Sequence, residues 1–411
     1  MMKFTQFLAE SKDVVSHLEH AEDFVLNDGV DGMRQVINYM RQVRDTLAGK
    51  ISGKINATVK YDGAPSIFAG IDPTDGKFFV AKKGIFNKNP KVYKTAAEIH
   101  ADTSGELAQK LEDALHYLPK LGIKGIVQGD FMYSHSDLKK ISISGEDYLT
   151  FHPNTIVYAV PLKSALARQM MQSKIGIVWH TRYHGKDFTS LKAEGGTAIS
   201  KTLKQVKEVW HDDVLIKDLS GTVTMTAAET ADVTEILSEL GSQFQRMVPS
   251  VMNDLSENPE ALMLVKTFNN SKIRSGEGFG EPAEHVREMI QWIGERLKKE
   301  EDEKKSEKGK ENARIKRRLI MQYFTRHDPA EIARIYYMIN LIIKAKGVLI
   351  QKLNRAASMH TFLKTKDGYQ VTGQEGYVIT DHLGKNAMKL VDRLEFSSAN
   401  FSPQFVKGWE H

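Results

Sequence analysis

The chain alternates apolar and polar residues in its first third and shifts to helical spacing in its second half. Ile55, Ala57 and Val59 alternate with Asn56, Thr58 and Lys60, the period of a half-buried strand. Ser66–Ile71 reads as a second strand, Asp72-Pro73-Thr74-Asp75-Gly76 as a turn, and Lys77–Lys82 as a third strand. Apolar runs at 124–130, 155–160 and 175–180 predict buried strands, and Gly373–Thr380 and Ala387–Asp392 predict a late hairpin turning at 381–386. Helical spacing of Val30, Met33, Val36, Ile37 and Met40 predicts helix over 12–50, with Gly49 as the stop. Thr103 and Glu106 have capping-box spacing ahead of Leu107, Leu111 and Leu115, which predicts a helix over 104–118. Asp328-Pro329 with Glu331 marks another helix start, and Ile332, Ile335, Ile339, Ile342 and Ile343 line its apolar face. Strands and helices in this irregular order predict an α+β fold with a mixed or antiparallel sheet.

Composition narrows the class. The chain has 411 residues, 41% hydrophobic and 27% charged, enough for two or three domains. It has no cysteine, which excludes disulfides and cysteine-ligated metals. Arg334, Lys344 and Lys346 interrupt the apolar helix around Ile339, so no membrane association is expected. A net charge of +5 and a pI near 8.9 suit a nucleic-acid partner without requiring one.

The candidate chemistry begins where the first strand ends, at Lys60-Tyr61-Asp62-Gly63. A lysine held there near other cations can lose its proton and attack phosphorus or a carbonyl carbon. Three later pieces follow in order: Ile126-Val127-Gln128-Gly129-Asp130, Glu375-Gly376-Tyr377-Val378-Ile379, and Ala387-Met388-Lys389-Leu390-Val391-Asp392-Arg393. The ordered set resembles the covalent nucleotidyltransferase superfamily, which includes ATP-dependent polynucleotide ligases and mRNA capping enzymes. The likeness covers roughly 50–162 and 365–400 and is greatest to phage RNA ligases.

The resemblance implies a nucleotidyltransferase (ligase adenylation) domain that uses ATP and magnesium. Lys60 would be the nucleophile, with Asp62 and Lys389 as further catalytic residues. Val59, Gly63, Lys82, Lys83, Asp130, Tyr158, Glu375 and Lys385 would bind the nucleotide, Tyr158 by stacking on the base. Asp130 and Glu375 would hold the metal. The chain departs from the family pattern in four places. Asp130 stands where the family usually has the longer glutamate. Ala387 stands where a second lysine is common, so Lys385 or Arg393 is expected to substitute. Ala64-Pro65 follows the lysine motif, and Thr58 precedes Lys60 where cellular DNA ligases carry an acid.

The implied organisation is a first part of that domain at 11–186, a large helical insertion at 187–365, and C-terminal strands at 366–411. No terminal OB domain is expected, so the insertion should grip the substrate. Arg314, Lys316, Arg317 and Arg318 are its candidate phosphate contacts, although Glu300–Glu303 allow a merely solvated face. Residues 1–10 resemble capsid-targeting leaders of T-even-type phages, with cleavage between Glu10 and Ser11 by a prohead protease. That likeness implies action in the host cytoplasm during infection and packaging inside the phage head. The expected activity is ATP-dependent ligation of nucleic acid, RNA rather than DNA. Two other readings stand beside it: a catalytically inactive internal head protein that binds nucleic acid, and nucleotide transfer to a protein or small molecule. Gly276, Gly278 and Gly280 lack the lysine of a phosphate-binding loop, and His135, His180 and His184 lack metal-ligand spacing.

Overall fold

A computed structural model describes residues 19–50, 55–195, 198–214, 225–355, 359–381 and 388–408. The expected leader site Glu10–Ser11 and the expected phosphate contact Lys385 lie outside these residues.

The fold is α+β, with three sheets and a run of helices. The smallest sheet joins β1 (Ile55–Lys60), β13 (Gly376–Asp381) and β14 (Met388–Leu390), all antiparallel. Its alternation separates two faces. Ala57, Val59, Tyr377, Ile379, Met388 and Leu390 are buried in the main core. Thr58, Lys60, Val378 and Lys389 fall on the other face. The backbone of Glu19–Ala21 runs beside Lys389 and extends this sheet by one short parallel bridge.

The six-stranded sheet has the order β10-β8-β4-β2-β3, with β9 (Lys192–Gly195) paired to β8. Its strands are β2 (Ser66–Ile71), β3 (Phe78–Ala81), β4 (Ile126–Ser134), β8 (Ile175–His184) and β10 (Val209–Asp213). Only the β8–β10 pair is parallel; the other pairs are antiparallel. Ile67, Ala69, Val80, Val127, Phe131, Ile177 and Trp179 form one apolar face, which the helix Gly105–Tyr117 helps to cover. The third sheet runs β12-β11-β7-β6-β5. It comprises β5 (Lys139–Ile143), β6 (Glu146–Phe151), β7 (Ile156–Pro161), β11 (His360–Lys364) and β12 (Tyr369–Val371).

Six helices run from Ala227 to Asn354, and they share a core with the N-terminal helix Gly29–Leu47. The longest of them is Pro329–Asn354. The Asp328 side chain accepts the Ala330 N–H at 2.9 Å, and Pro329 occupies the first turn, where its missing donor costs nothing. Ile332, Ile335, Ile339 and Ile342 are buried as expected, and Ile343 is half-buried.

Two expectations are corrected. The expected insertion over 187–365 is too wide at both ends: β9 and β10 belong to the six-stranded sheet, and β11 belongs to the third sheet. Backbone pairing with β8 and β7 decides those memberships. The capping box expected at Thr103–Glu106 is not formed. Thr103 is the extended residue that ends the helix Ala96–Asp102, and the capping box lies at that helix's start, between Thr95 and Glu98.

Candidate active site

Strand register builds the site. Lys60 is the last residue of β1 and lies opposite Gly376, so Glu375 arrives beside it. The Lys60 ammonium forms an ion pair with Glu375 Oε1. Thr58 faces Val378, and Val378 faces Lys389, which puts Lys389 on the same sheet face as Lys60. Among the described residues no carboxylate lies within ion-pair distance of Lys389. Burial lowers the Lys389 pKa, and the nearby Lys60 charge lowers it further.

Glu375 is the most perturbed acid here. Burial pushes its carboxyl up to about 7, and the charges of Asp62 and Asp130 add to the rise against the opposing pull of Lys60. Its Oε2 is buried and has no hydrogen-bond partner among the described residues. Gly376 is required by packing: a Cβ there would lie 2.5 Å from Val391 Cγ2 and 2.6 Å from the Leu390 carbonyl oxygen.

Asp62 is an anchor. Its carboxylate accepts from Asn154 Nδ2 at 2.6 Å, the Thr155 N–H at 2.7 Å and the Ile156 N–H at 3.0 Å. Its own N–H donates to the Tyr158 hydroxyl at 2.7 Å. These bonds tie the end of β1 to the start of β7. Gly63 then lets the chain pass against β4, where a Cβ would lie 2.6 Å from Asp130 Cβ and 2.9 Å from Met132 Sδ. Asp130 faces Ser66 across β2–β4 and sits between two register shifts of β4 against β8, a geometry that re-aims side chains. His180 Nε2 lies 3.8 Å from its carboxylate.

Lys60, Glu375, Lys389, Asp62, Gly63 and Asp130 therefore converge from four separate stretches of chain. Three expected roles are corrected. Tyr158 is fully buried, its ring packed between Phe151 and Tyr61, so it has no face for a base. Val59 points into the core. Arg393 is engaged by Asp23 at 3.0 Å and by Asn270, so it does not replace the missing second lysine. Arg314 and Arg317 pair with Glu301, and Lys316 pairs with Glu300, within one helical hairpin; only Arg318 is without a described partner. Lys82 lies 3.2 Å from Asp102, and Lys83 is exposed.

A polar row that no motif marks lies on the Asp130 face. Tyr183 donates to Gln128 Oε1 at 2.7 Å, and Gln128 Nε2 donates to Ser66 Oγ at 2.9 Å. Gln128 precedes Asp130 by one strand period, and that spacing was its sequence signal.

Magnesium takes oxygen ligands, often one or two carboxylates plus substrate phosphates. The unpartnered Glu375 Oε2 and the Asp130 carboxylate fit that mode. Among the described residues no group of three or more His, Asp or Glu side chains forms a metal cage. No helix among the described residues is long and apolar enough to cross a membrane.

A family of unknown function, DUF6267, matches residues 15–405. The chain belongs to this family. No curated protein and no solved structure matches it.

Proposed function

We propose that this DUF6267 member is an ATP-dependent covalent nucleotidyltransferase that seals polynucleotide ends, RNA rather than DNA. The observation that carries this reading is the meeting of Lys60, Glu375 and Lys389 at one edge of the β1–β13–β14 sheet. Lys60 Nζ, once free of its proton, attacks the α-phosphorus of ATP. A nitrogen–phosphorus bond forms, the bond to pyrophosphate oxygen breaks, and the proton leaves to solvent. An oxygen of the nucleic acid's 5′-phosphate then attacks the same phosphorus, the nitrogen–phosphorus bond breaks, and Lys60 takes a proton back from solvent. A 3′-hydroxyl attacks that activated phosphate and releases AMP.

Each residue has a distinct task in this scheme. Lys389 places a second cation beside the phosphates, where a partly buried charge acts more strongly than in water. Asp62 holds the end of β1 and so orients the nucleophile. Glu375 and Asp130 would hold magnesium, whose charge offsets that of the phosphates.

The test is incubation with α-labelled ATP and magnesium, followed by denaturation. Label should remain on the protein as an acid-labile adduct at Lys60, and Lys60→Ala should carry none. Equal labelling of Lys60→Ala would refute the mechanism. A parent protein that binds RNA but takes no label would point to the inactive nucleic-acid-binding reading.

A further inference from the structure

Between Gly76 and Glu98 the chain carries six lysines and no acidic residue. The fold places one part of this stretch near the candidate site. Ala81, the last residue of β3, pairs with Phe68 of β2, and β2 begins at Ser66 opposite Asp130. The loop that follows Ala81 therefore leaves the sheet at the end where Gly63 and Asp130 lie. Lys77 and Lys94 belong to the opposite end, where Lys94 is held by Asp72 and Asp75.

The loop is pre-shaped. Lys83–Phe86 forms a short helical turn, and the Asn87 and Lys91 N–H groups both donate to the Gly84 carbonyl, at 3.2 and 3.0 Å. Ile85 is fully buried, and Tyr93 pairs with Val80, so both ends of the loop are tied to the sheet. Lys83 and Lys88 are exposed and have no described acidic partner. Lys82 and Lys91 share a single carboxylate, Asp102, at 3.2 and 2.5 Å. Among these four lysines the one described carboxylate partner is Asp102, shared by Lys82 and Lys91. Phe86 is half-buried, its ring centroid 5.2 Å from Phe68 and 5.6 Å from Tyr183. Phe86 packs the loop onto the sheet, and the positively charged track beside it is the electrostatic half of single-strand recognition.

We infer that the loop Lys82–Lys91 is the docking surface for a single-stranded RNA end, with Lys83 and Lys88 contacting its phosphates. This rests on the ligase reading and moves the strand contact from the helical hairpin to the nucleotidyltransferase sheet. On the hairpin, Arg314, Lys316 and Arg317 are balanced by two carboxylates, Glu300 and Glu301, whereas the four loop lysines have one carboxylate, Asp102, among them. A bound backbone would compete with Asp102 for Lys82 and Lys91, adding contacts as the strand seats.

The experiment is anisotropy of a fluorescent single-stranded oligoribonucleotide with the full chain across a salt series. Lys83→Gln/Lys88→Gln should bind more weakly, and its log–log salt slope should fall by roughly 0.7 per lost phosphate contact, about 1.4 in all. Asp102→Asn should act in the opposite sense, with tighter binding and a steeper slope, because it frees two ammonium groups. Arg314→Gln/Lys316→Gln should leave the slope unchanged. A lysine variant with the parent's slope, or an Asp102→Asn variant that binds no tighter, overturns the assignment. So does a parent that binds polyglutamate as tightly as RNA, which would mark the loop as an acidic-protein site. Lys60 labelling in the same samples separates the two claims. Labelling with unchanged RNA binding in the lysine variant sinks the docking surface alone. Absent labelling of the parent, with the expected binding changes, sinks the ligase chemistry alone.

Discussion

At the scale of residues, Asp62 shows how one side chain can serve geometry more than chemistry. Both of its oxygens are taken by three donors, and its backbone N–H is satisfied by Tyr158. Asp62→Ala would leave those buried donors unpaired, at roughly 1–3 kcal/mol for each buried group left unsatisfied. The expected result is a loss of at least about 2 kcal/mol in urea unfolding, together with loss of Lys60 labelling. Asp62→Ala with parental stability would remove the anchor role. The motif Lys60-Tyr61-Asp62-Gly63 was legible in the sequence, but the partners of Asp62 were not. Asn154, Thr155 and Ile156 lie more than ninety residues away, and no periodic pattern connects them to Asp62.

At the scale of elements, a buried charge network links the helices to the site strand. Lys346, on the helix Pro329–Asn354, donates to both oxygens of Glu22 at 2.9 and 2.7 Å, and both residues are almost wholly buried. Burial alone would raise the Glu22 pKa, but Lys346, His20 and Arg393 outweigh it and hold the carboxyl below its usual range. Arg393, at the start of the helix Arg393–Phe401, lies 3.7 Å from Glu22, and the neighbouring backbone of Glu19–Ala21 pairs with Lys389. Removing one partner of a buried pair strands the other charge. Lys346→Met should therefore cost about 3–5 kcal/mol by chemical denaturation. Lys346→Met/Glu22→Gln should recover much of that loss, because the stranded carboxylate is gone. A double variant no more stable than Lys346→Met would show that packing, not charge, dominates here.

The elements themselves were unevenly legible. Alternation located β1 and β2, and the Asp328-Pro329 signal located the longest helix. The β5–β6 hairpin was missed although its turn was visible: Ser144 and Gly145 both adopt positive φ, at 51° and 85°, as a two-residue hairpin turn requires. The edge strand β12 has only three residues, too few for a period to register.

At the scale of the whole molecule, buried histidines make the fold acid-sensitive. Burial lowers the pKa of His20 to about 3 and those of His152 and His285 to about 4, from an ordinary value of 6.5. Between those values the unfolded chain takes up protons that the native state refuses. Their contribution is intact above pH 6.5 and is lost as pH falls through about 4. Glu375, raised to about 7, works in the opposite sense, so a single-site comparison is the cleaner test. His285 Nε2 donates to Asn269 Oδ1 at 2.9 Å, with Lys272 and Glu288 as its charged neighbours. His285→Gln keeps a polar partner for Asn269 and removes the titration. Thermal melts should show that this variant loses less stability than the parent between pH 7 and pH 4. Parallel losses in both proteins would exclude His285 as a source of acid sensitivity.

Short-range information determined much of this protein. Strand alternation, helix caps and turn residues are local, so the sequence alone specified the α+β class, the helices Gly29–Leu47 and Pro329–Asn354, several strands and the lysine motif at the end of β1. Tertiary structure decided what distant residues do to one another. It turned Tyr158 into a core ring, drew Arg393 to Asp23, closed the hairpin cations onto Glu300 and Glu301, and moved β9, β10 and β11 into sheets. Those outcomes depend on pairings between residues far apart in the chain. A residue's type and spacing state what it can bond to, and only the folded backbone settles which partner arrives.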